Sequence, residues 1–234
     1  MRDSFAFLLH NRNMKLLTEI YSELRLVLTG KTIDAIFPPL VFVIANGFVD
    51  ELVAITFAVG VSLVFFVVRL RNNQSIWYSV AGLVGILFAG GLALLGGAAD
   101  FFIPAMISSL TLFLASLISN VIGKPFTAYV SHLTRGWTLS WFWRNDIKPA
   151  YTETTWIWAV FFVVRFVLQL NAYLNADVAD IAIINLVLGF PGLIGLLVVT
   201  YAWGLPRLRQ LKGPGIDEYN NNTEPPWRGQ TKGF

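Results

Sequence analysis

The chain of 234 residues is 56% hydrophobic and only 13% charged, whereas an ordinary soluble domain carries about 25% charged residues. So few charges cannot coat a water-soluble surface, and the composition points to a chain solvated by lipid. The lack of cysteine excludes disulfides, thiolate metal sites and cysteine nucleophiles. The net charge of +3 comes without any long Lys/Arg run, so no nucleic-acid partner is expected.

Residues 1–31 mix acidic and basic side chains and lack an apolar stretch followed by a small-residue cleavage site, so they do not read as a secretory signal. Within them, residues 14–29 put Leu17, Ile20, Leu24 and Val27 or Leu28 on one helical face, with Gly30 placed as the C-terminal cap. This predicts an amphipathic helix, either on the membrane surface or against a cytoplasmic loop.

Crossing a bilayer takes roughly 20 apolar residues in a helix. Six segments qualify: residues 33–49, 51–69, 76–97, 101–122, 155–174 and 179–203. They predict an all-α polytopic membrane bundle over residues 32–204. The remaining cytoplasmic stretch, residues 205–234, turns to Gly, Pro, Asn and charge from Gly213 onward, which predicts a mostly disordered tail.

The first span carries Pro38 and Pro39, which remove helix donors and predict a kink. Asp34 in that span, and Asp100 ahead of the fourth, are placed as N-terminal caps. In the third span Gly82, Gly85, Ala89, Ala93 and Gly96 line up along one face. Small residues in such a row predict close packing, here against the fourth span, where Ala105, Ser109 and Ser116 form a comparable face. In the loop after the fourth span, Phe126, Tyr129, Leu133 and Trp137 recur at helical spacing and predict a helix in the interface plane. Trp137, Trp141, Trp143 and Arg144 form a candidate surface for a partner protein or for lipid.

Arg165 stands in the middle of the fifth span. A cation at that depth costs at least about 2.5 kcal/mol on insertion scales, so it must face protein or water. Gln169 follows one turn later on the same face, and Asn185, Asn46 and Asn120 are candidates to complete a polar patch inside the membrane. The patch is either an anion or headgroup position or a hydrogen-bonded lock on the bundle. The pentapeptide Phe-Phe-Val-Val-Arg, which ends at Arg69 and again at Arg165, falls at different depths and reads as a chance match.

All basic residues except Arg165 fall before the first span, between the second and third, between the fourth and fifth, or after the sixth. The opposite turns hold only acids: Asp50 and Glu51, Asp100, then Asp177 and Asp180. Short loops rich in Lys and Arg stay cytoplasmic, so both termini are predicted inside. Trp77, Trp156, Trp158 and Trp203 sit at the same helix ends, where an indole prefers the headgroup boundary.

His10 and His132 lack metal-ligand spacing, and there is no phosphate loop, dinucleotide fingerprint or nucleophile elbow. No enzyme and no cofactor are therefore expected.

Residues 33–203 resemble the bacterial intracellular septation protein A superfamily, and more closely its uncharacterised actinobacterial-type branch. The resemblance is carried by Phe37-Pro38-Pro39-Leu40-Val41-Phe42-Val43, by Gly123-Lys124-Pro125-Phe126, and by Trp143-Arg144. Trp158-Ala159-Val160-Phe161-Phe162 with Arg165, Gln169 and Tyr173 completes it. The arginine in the fifth span is a feature of that branch and not of septation protein A proper. The resemblance implies an inner-membrane protein tied to envelope maintenance and division-related assemblies, with no known reaction. The function expected first is thus non-enzymatic support of an envelope or membrane complex through protein and lipid contacts. The alternatives are an anion, small-molecule or lipid transporter that uses Arg165, and an accessory subunit of a respiratory or photosynthetic complex.

Overall fold

A computed structural model describes residue 38, residues 41–42, 44–46, 48–72 and 77–231, and residues 233–234. The expected amphipathic helix over residues 14–29, Asp34, His10 and most of the first span lie outside the described residues. The described residues are all-α. The helices are α1 (Glu51–Arg71), α2 (Trp77–Gly96), α3 (Ile103–Val121), α4 (Phe126–Arg135), α5 (Leu139–Phe142), α6 (Lys148–Leu174), α7 (Val178–Leu188), α8 (Phe190–Leu211) and α9 (Ile216–Asn220), with a 3₁₀ turn at Ala98–Phe102.

Several long apolar helices make this a polytopic membrane protein in kind, but the count differs from the six expected spans. Among the described residues four stretches are long and apolar enough to cross a membrane: Leu52–Arg71, Ala98–Val121, Lys148–Leu174 and Val178–Leu211. A further apolar helix counts as a shorter one, Val80–Gly96. The fifth expected span begins earlier than predicted, because Lys148–Thr154, read as loop, is helical and continuous with it. The sixth is broken at Gly189, just before Pro191, which has no backbone N–H and whose ring crowds the preceding turn. A Cβ on Gly189 would collide with the Asn185 carbonyl oxygen, so only glycine fits this break.

The chain divides into two compact units, and α3, α6 and α8 contribute residues to both. The hairpin unit contains α1, α2, the 3₁₀ turn, Arg165–Leu174 of α6 and α7. Its core joins Ala54, Ile55 and Ala58 of α1 to Ile86, Ala89 and Ala93 of α2, with Phe42, Phe101 and Phe102 beside them. The Phe42 and Phe101 rings stack at 3.7 Å. Tyr173 donates its hydroxyl to Asp100 at 2.7 Å, so Asp100 ties α6 to the 3₁₀ turn besides opening the segment that leads into α3.

The small-residue row on α2 is corrected in register. Ala89 and Ala93 are buried, but Gly85 and Gly96 are exposed and Gly82 is half-buried. The close approach to another helix is at Gly90, where an added Cβ would lie 2.8 Å from Ile55 Cγ2; at Gly96 it would collide with the Asp100 carboxylate, whereas around Gly85 nothing lies within 4 Å. The helix packed at Gly90 is α1, while Phe101 and Phe102, the first residues of the expected fourth span, share the core with Ala89 and Ala93. Ser109 and Ser116 are buried, yet each donates to a carbonyl four residues back in its own helix, at 2.9 and 2.8 Å. Their polarity is thus satisfied without a neighbouring helix.

The aromatic unit takes in residues 110–164 and 193–234. α4 ends at Gly136, whose φ of 71° supplies the left-handed cap that other residues resist. Trp141, Phe142 and Tyr151 are fully buried and pack with Ile147, Tyr201 and Leu208. Below them Thr127 Oγ1 meets the Thr154 and Thr155 hydroxyls at 3.1 and 2.8 Å, so hydroxyls lock α4 to α6. Glu153 accepts from Arg207 Nε at 2.8 Å and from Trp203 Nε1 at 2.9 Å, joining α6 to α8, while Trp158 Nε1 donates to Thr200 at 2.8 Å.

The expected disorder of the tail is also corrected. The two ends of the tail pack on this core, with residues 213–216 and Gln230, Gly233 and Phe234 buried, while residues 220–226 between them are exposed. The Phe234 ring stacks on Tyr151 at 4.4 Å, and it fills space at Gly204 that a Cβ would occupy. Glu218 replaces regular structure as the organiser of the backbone. Its carboxylate accepts the N–H groups of Gly215 at 2.8 Å, Arg228 at 2.7 Å and Gly229 at 3.1 Å. Composition reads such a segment as disordered because its few apolar residues are spread out, but each finds a slot that other parts of the chain provide.

Candidate functional site

The polar patch expected around Arg165 forms in the hairpin unit. Residues 165 and 169 lie four apart on α6 and therefore stack on one face, and Asn185 approaches from α7. Asn185 Nδ2 donates to the Ile181 carbonyl at 2.8 Å. A carbonyl only accepts, so this bond fixes the amide orientation and turns Oδ1 toward α6. That oxygen receives Arg165 Nη2 at 3.2 Å and Gln169 Nε2 at 2.9 Å. Both of its lone pairs are then in use.

Gln169 is fully buried. Its Oε1 and the Arg165 Nε are buried and have no hydrogen-bond partner among the described residues. Nor is Arg165 in an ion pair with any described residue. A buried polar atom without a partner costs about 1 to 3 kcal/mol, more when charged. The cluster therefore retains a cationic donor edge and a neutral acceptor, next to each other in sequence register and on one face of the helix.

The two other asparagines named with this patch are elsewhere. Asn120 belongs to the aromatic unit, where its amide donates to the Thr152 carbonyl at 3.1 Å and its Oδ1 is buried without a partner. Asn46 is half-buried and lines an open hollow with Phe48, Val49, Asp50 and Val53.

The proposed contact surface in the loop is largely consumed from within. Trp141 is fully buried, and its indole N–H donates to the Pro214 carbonyl at 3.0 Å. It is a core residue, because a buried indole needs an acceptor and the tail supplies one. Arg144 pairs with Asp146 through two bonds of 2.9 and 2.8 Å and lies over the rings of Tyr219 and Trp227 in the tail. Trp137 lies under Arg135 and against Trp141, and Trp143 packs edge-on to Tyr129; both stay half-buried. Leu133, at 81% exposed, is what remains of the expected interfacial face of α4.

The threonine cluster, the Glu153–Arg207–Trp203 bridge and the Asp100–Tyr173 bond were not anticipated. Thr127, Thr154 and Thr155 offered a signal as hydroxyls flanking a membrane span, and Glu153 as an acid in a region otherwise rich in basic residues. Among the described residues no group of three or more His, Asp or Glu side chains is placed to hold a metal ion.

Residues 29–210 match the model of the family described as Protein of unknown function (DUF3159), so the chain belongs to that family. No curated protein and no solved structure matches it.

Proposed function

We propose that this DUF3159 member is a non-enzymatic membrane protein that holds an anionic group inside the bilayer at Arg165, as a small-molecule, anion or lipid transporter would. The observation that carries this reading is a half-buried cation at mid-span, fixed by Asn185 and without a carboxylate partner among the described residues. A position of this kind stabilises an incoming anion strongly, because the low dielectric that makes the bare cation costly also strengthens its pairing. Six spans with both termini inside are supported by the distribution of Lys and Arg, and a place in a bacterial cytoplasmic membrane by the resemblance to the septation protein A superfamily. The packing of the tail on residues 135–151 supports a common side for the tail and the loop before α6.

The test is a thermal melt of the purified full chain in mild detergent with a panel of anions and of anionic and zwitterionic lipids. Anionic lipid is expected to raise the wild-type melting temperature, and Arg165→Gln is expected to abolish that rise while leaving the protein folded. If no anionic probe shifts the wild-type melt, the reading is lost.

A second reading, support of an envelope or respiratory complex through protein contacts, draws on the resemblance to septation protein A and on the half-exposed Trp137 and Trp143. Stoichiometric co-purification of a protein partner, lost in a Trp143→Ala variant, would favour it.

A further inference from the structure

The cluster specifies more about its ligand than negative charge. We infer that the group bound at Arg165 is a monoanionic phosphate that carries, or lies beside, a hydroxyl donor; this rests on the anion reading above. The orientation argument leads there. Asn185 must present its oxygen to α6, so Gln169 must present its amide nitrogen to that oxygen, which leaves Gln169 Oε1 as an acceptor. Arg165 Nε is left as a donor. A ligand that satisfies both must accept from the arginine and donate to the glutamine.

A carboxylate, or a phosphodiester without a hydroxyl, would serve Arg165 and leave Oε1 unmet. A choline headgroup has no hydroxyl, so it too leaves the glutamine unmet. A phosphate monoanion neutralises the guanidinium, which suits planar two-point recognition of phosphate oxygens, and its hydroxyl reaches the amide. The source is either a hydroxylated phospholipid headgroup or free dihydrogen phosphate.

The experiment compares two lipids of equal charge, phosphatidylglycerol and phosphatidylmethanol, of which only the first has headgroup hydroxyls. Each is titrated into the full chain in mild detergent, with the melting temperature as readout. Phosphatidylglycerol is expected to half-saturate at a concentration about tenfold lower, as one buried hydrogen bond would give. In Gln169→Met, which keeps the side-chain volume, the two lipids are expected to become equivalent. Gln169→Glu is expected to pair internally with Arg165 and to lose stabilisation by both lipids while remaining folded. Competition by millimolar inorganic phosphate identifies the free anion as the source, and its failure identifies the lipid headgroup. Equal affinity of the two lipids for the wild type overturns this inference and leaves the anion reading standing. Stabilisation by neither lipid and no effect of phosphate overturns both.

Discussion

The two units treat their arginines differently. In the aromatic unit Arg144 pairs with Asp146, Arg207 with Glu153, and Arg135 donates to the Phe234 carbonyl at 3.1 Å while lying over Trp137 and Tyr201. Each has a partner that serves the fold. In the hairpin unit Arg165 has a single amide oxygen, shared with Gln169. A chain able to pair arginines locally leaves this one without a carboxylate partner among the described residues. That contrast sets Arg165 apart more sharply than burial does, since both units also bury neutral oxygens without a partner among the described residues, at Asn120, Tyr151, Tyr201 and Gln169.

The comparison can be broken most severely at Trp141. Trp141→Ala removes a fully buried ring and orphans the Pro214 carbonyl, so it should destabilise the aromatic unit by about 3 to 5 kcal/mol. The readout is a lowered melting temperature together with rapid proteolysis of the tail. Stabilisation by anionic lipid at Arg165 should persist below the new melting point. A Trp141→Ala protein whose tail stays protected would contradict the packing described here.

Phe234→Ala should have a smaller effect of the same kind, about 3 kcal/mol, since the buried ring stacked on Tyr151 is smaller than an indole and its loss orphans no hydrogen-bond partner. Limited proteolysis that maps cleavage to residues 213–231 before any membrane helix would report the detachment.

Within the hairpin unit the register of α2 can be tested by a pair of substitutions. Gly90→Ala drives a Cβ against Ile55 and should cost about 1 to 2 kcal/mol, whereas Gly85→Ala meets open space and should be neutral or stabilise by about 0.5 to 1 kcal/mol. Melting temperatures that move the opposite way would restore the face expected from the spacing of small residues.

The smallest expected effect is on pH. Backbone N–H groups of Gly215 and Arg228 hold the Glu218 carboxyl below its ordinary value of 4.5. A lowered folded-state pKa means that the carboxylate favours the packed tail above that ordinary value, and that this contribution is lost as the pH falls through the depressed one. Tail protection against an acid-active protease should therefore weaken below about pH 4.5 in the wild type. In Glu218→Gln it should already be weaker at neutral pH and lack that pH dependence.

Much of this was legible in the sequence where the controlling forces are local. The apolar runs predict helices whose observed bounds differ by a few residues at most ends, as Glu51–Arg71 against 51–69 illustrates. The four-residue step from Arg165 to Gln169, and the need of a buried cation for a polar neighbour, lead to three candidate asparagines, of which Asn185 joins the cluster and Asn46 and Asn120 do not. The face of α2 was not legible. A helix that is apolar all round has no polar side to exclude, and lipid and protein neighbours are equally apolar, so the choice between Gly85 and Gly90 depends on where Ile55 lies.

The tail shows the same division at longer range. Its composition determined only that it forms no regular structure by itself, and α9, five residues long, is all that it does form. Its order was decided by groups far away in the chain, including an indole that needs an acceptor 73 residues on and a ring seated on Tyr151. Sequence by itself determined which segments are apolar, where charge is tolerated and which residues share a helical face, because these follow from solvation and helical period. Which faces meet, which asparagine reaches Arg165, and what covers Trp141 were decided by the tertiary structure, because close packing selects among faces that solvation alone leaves equivalent.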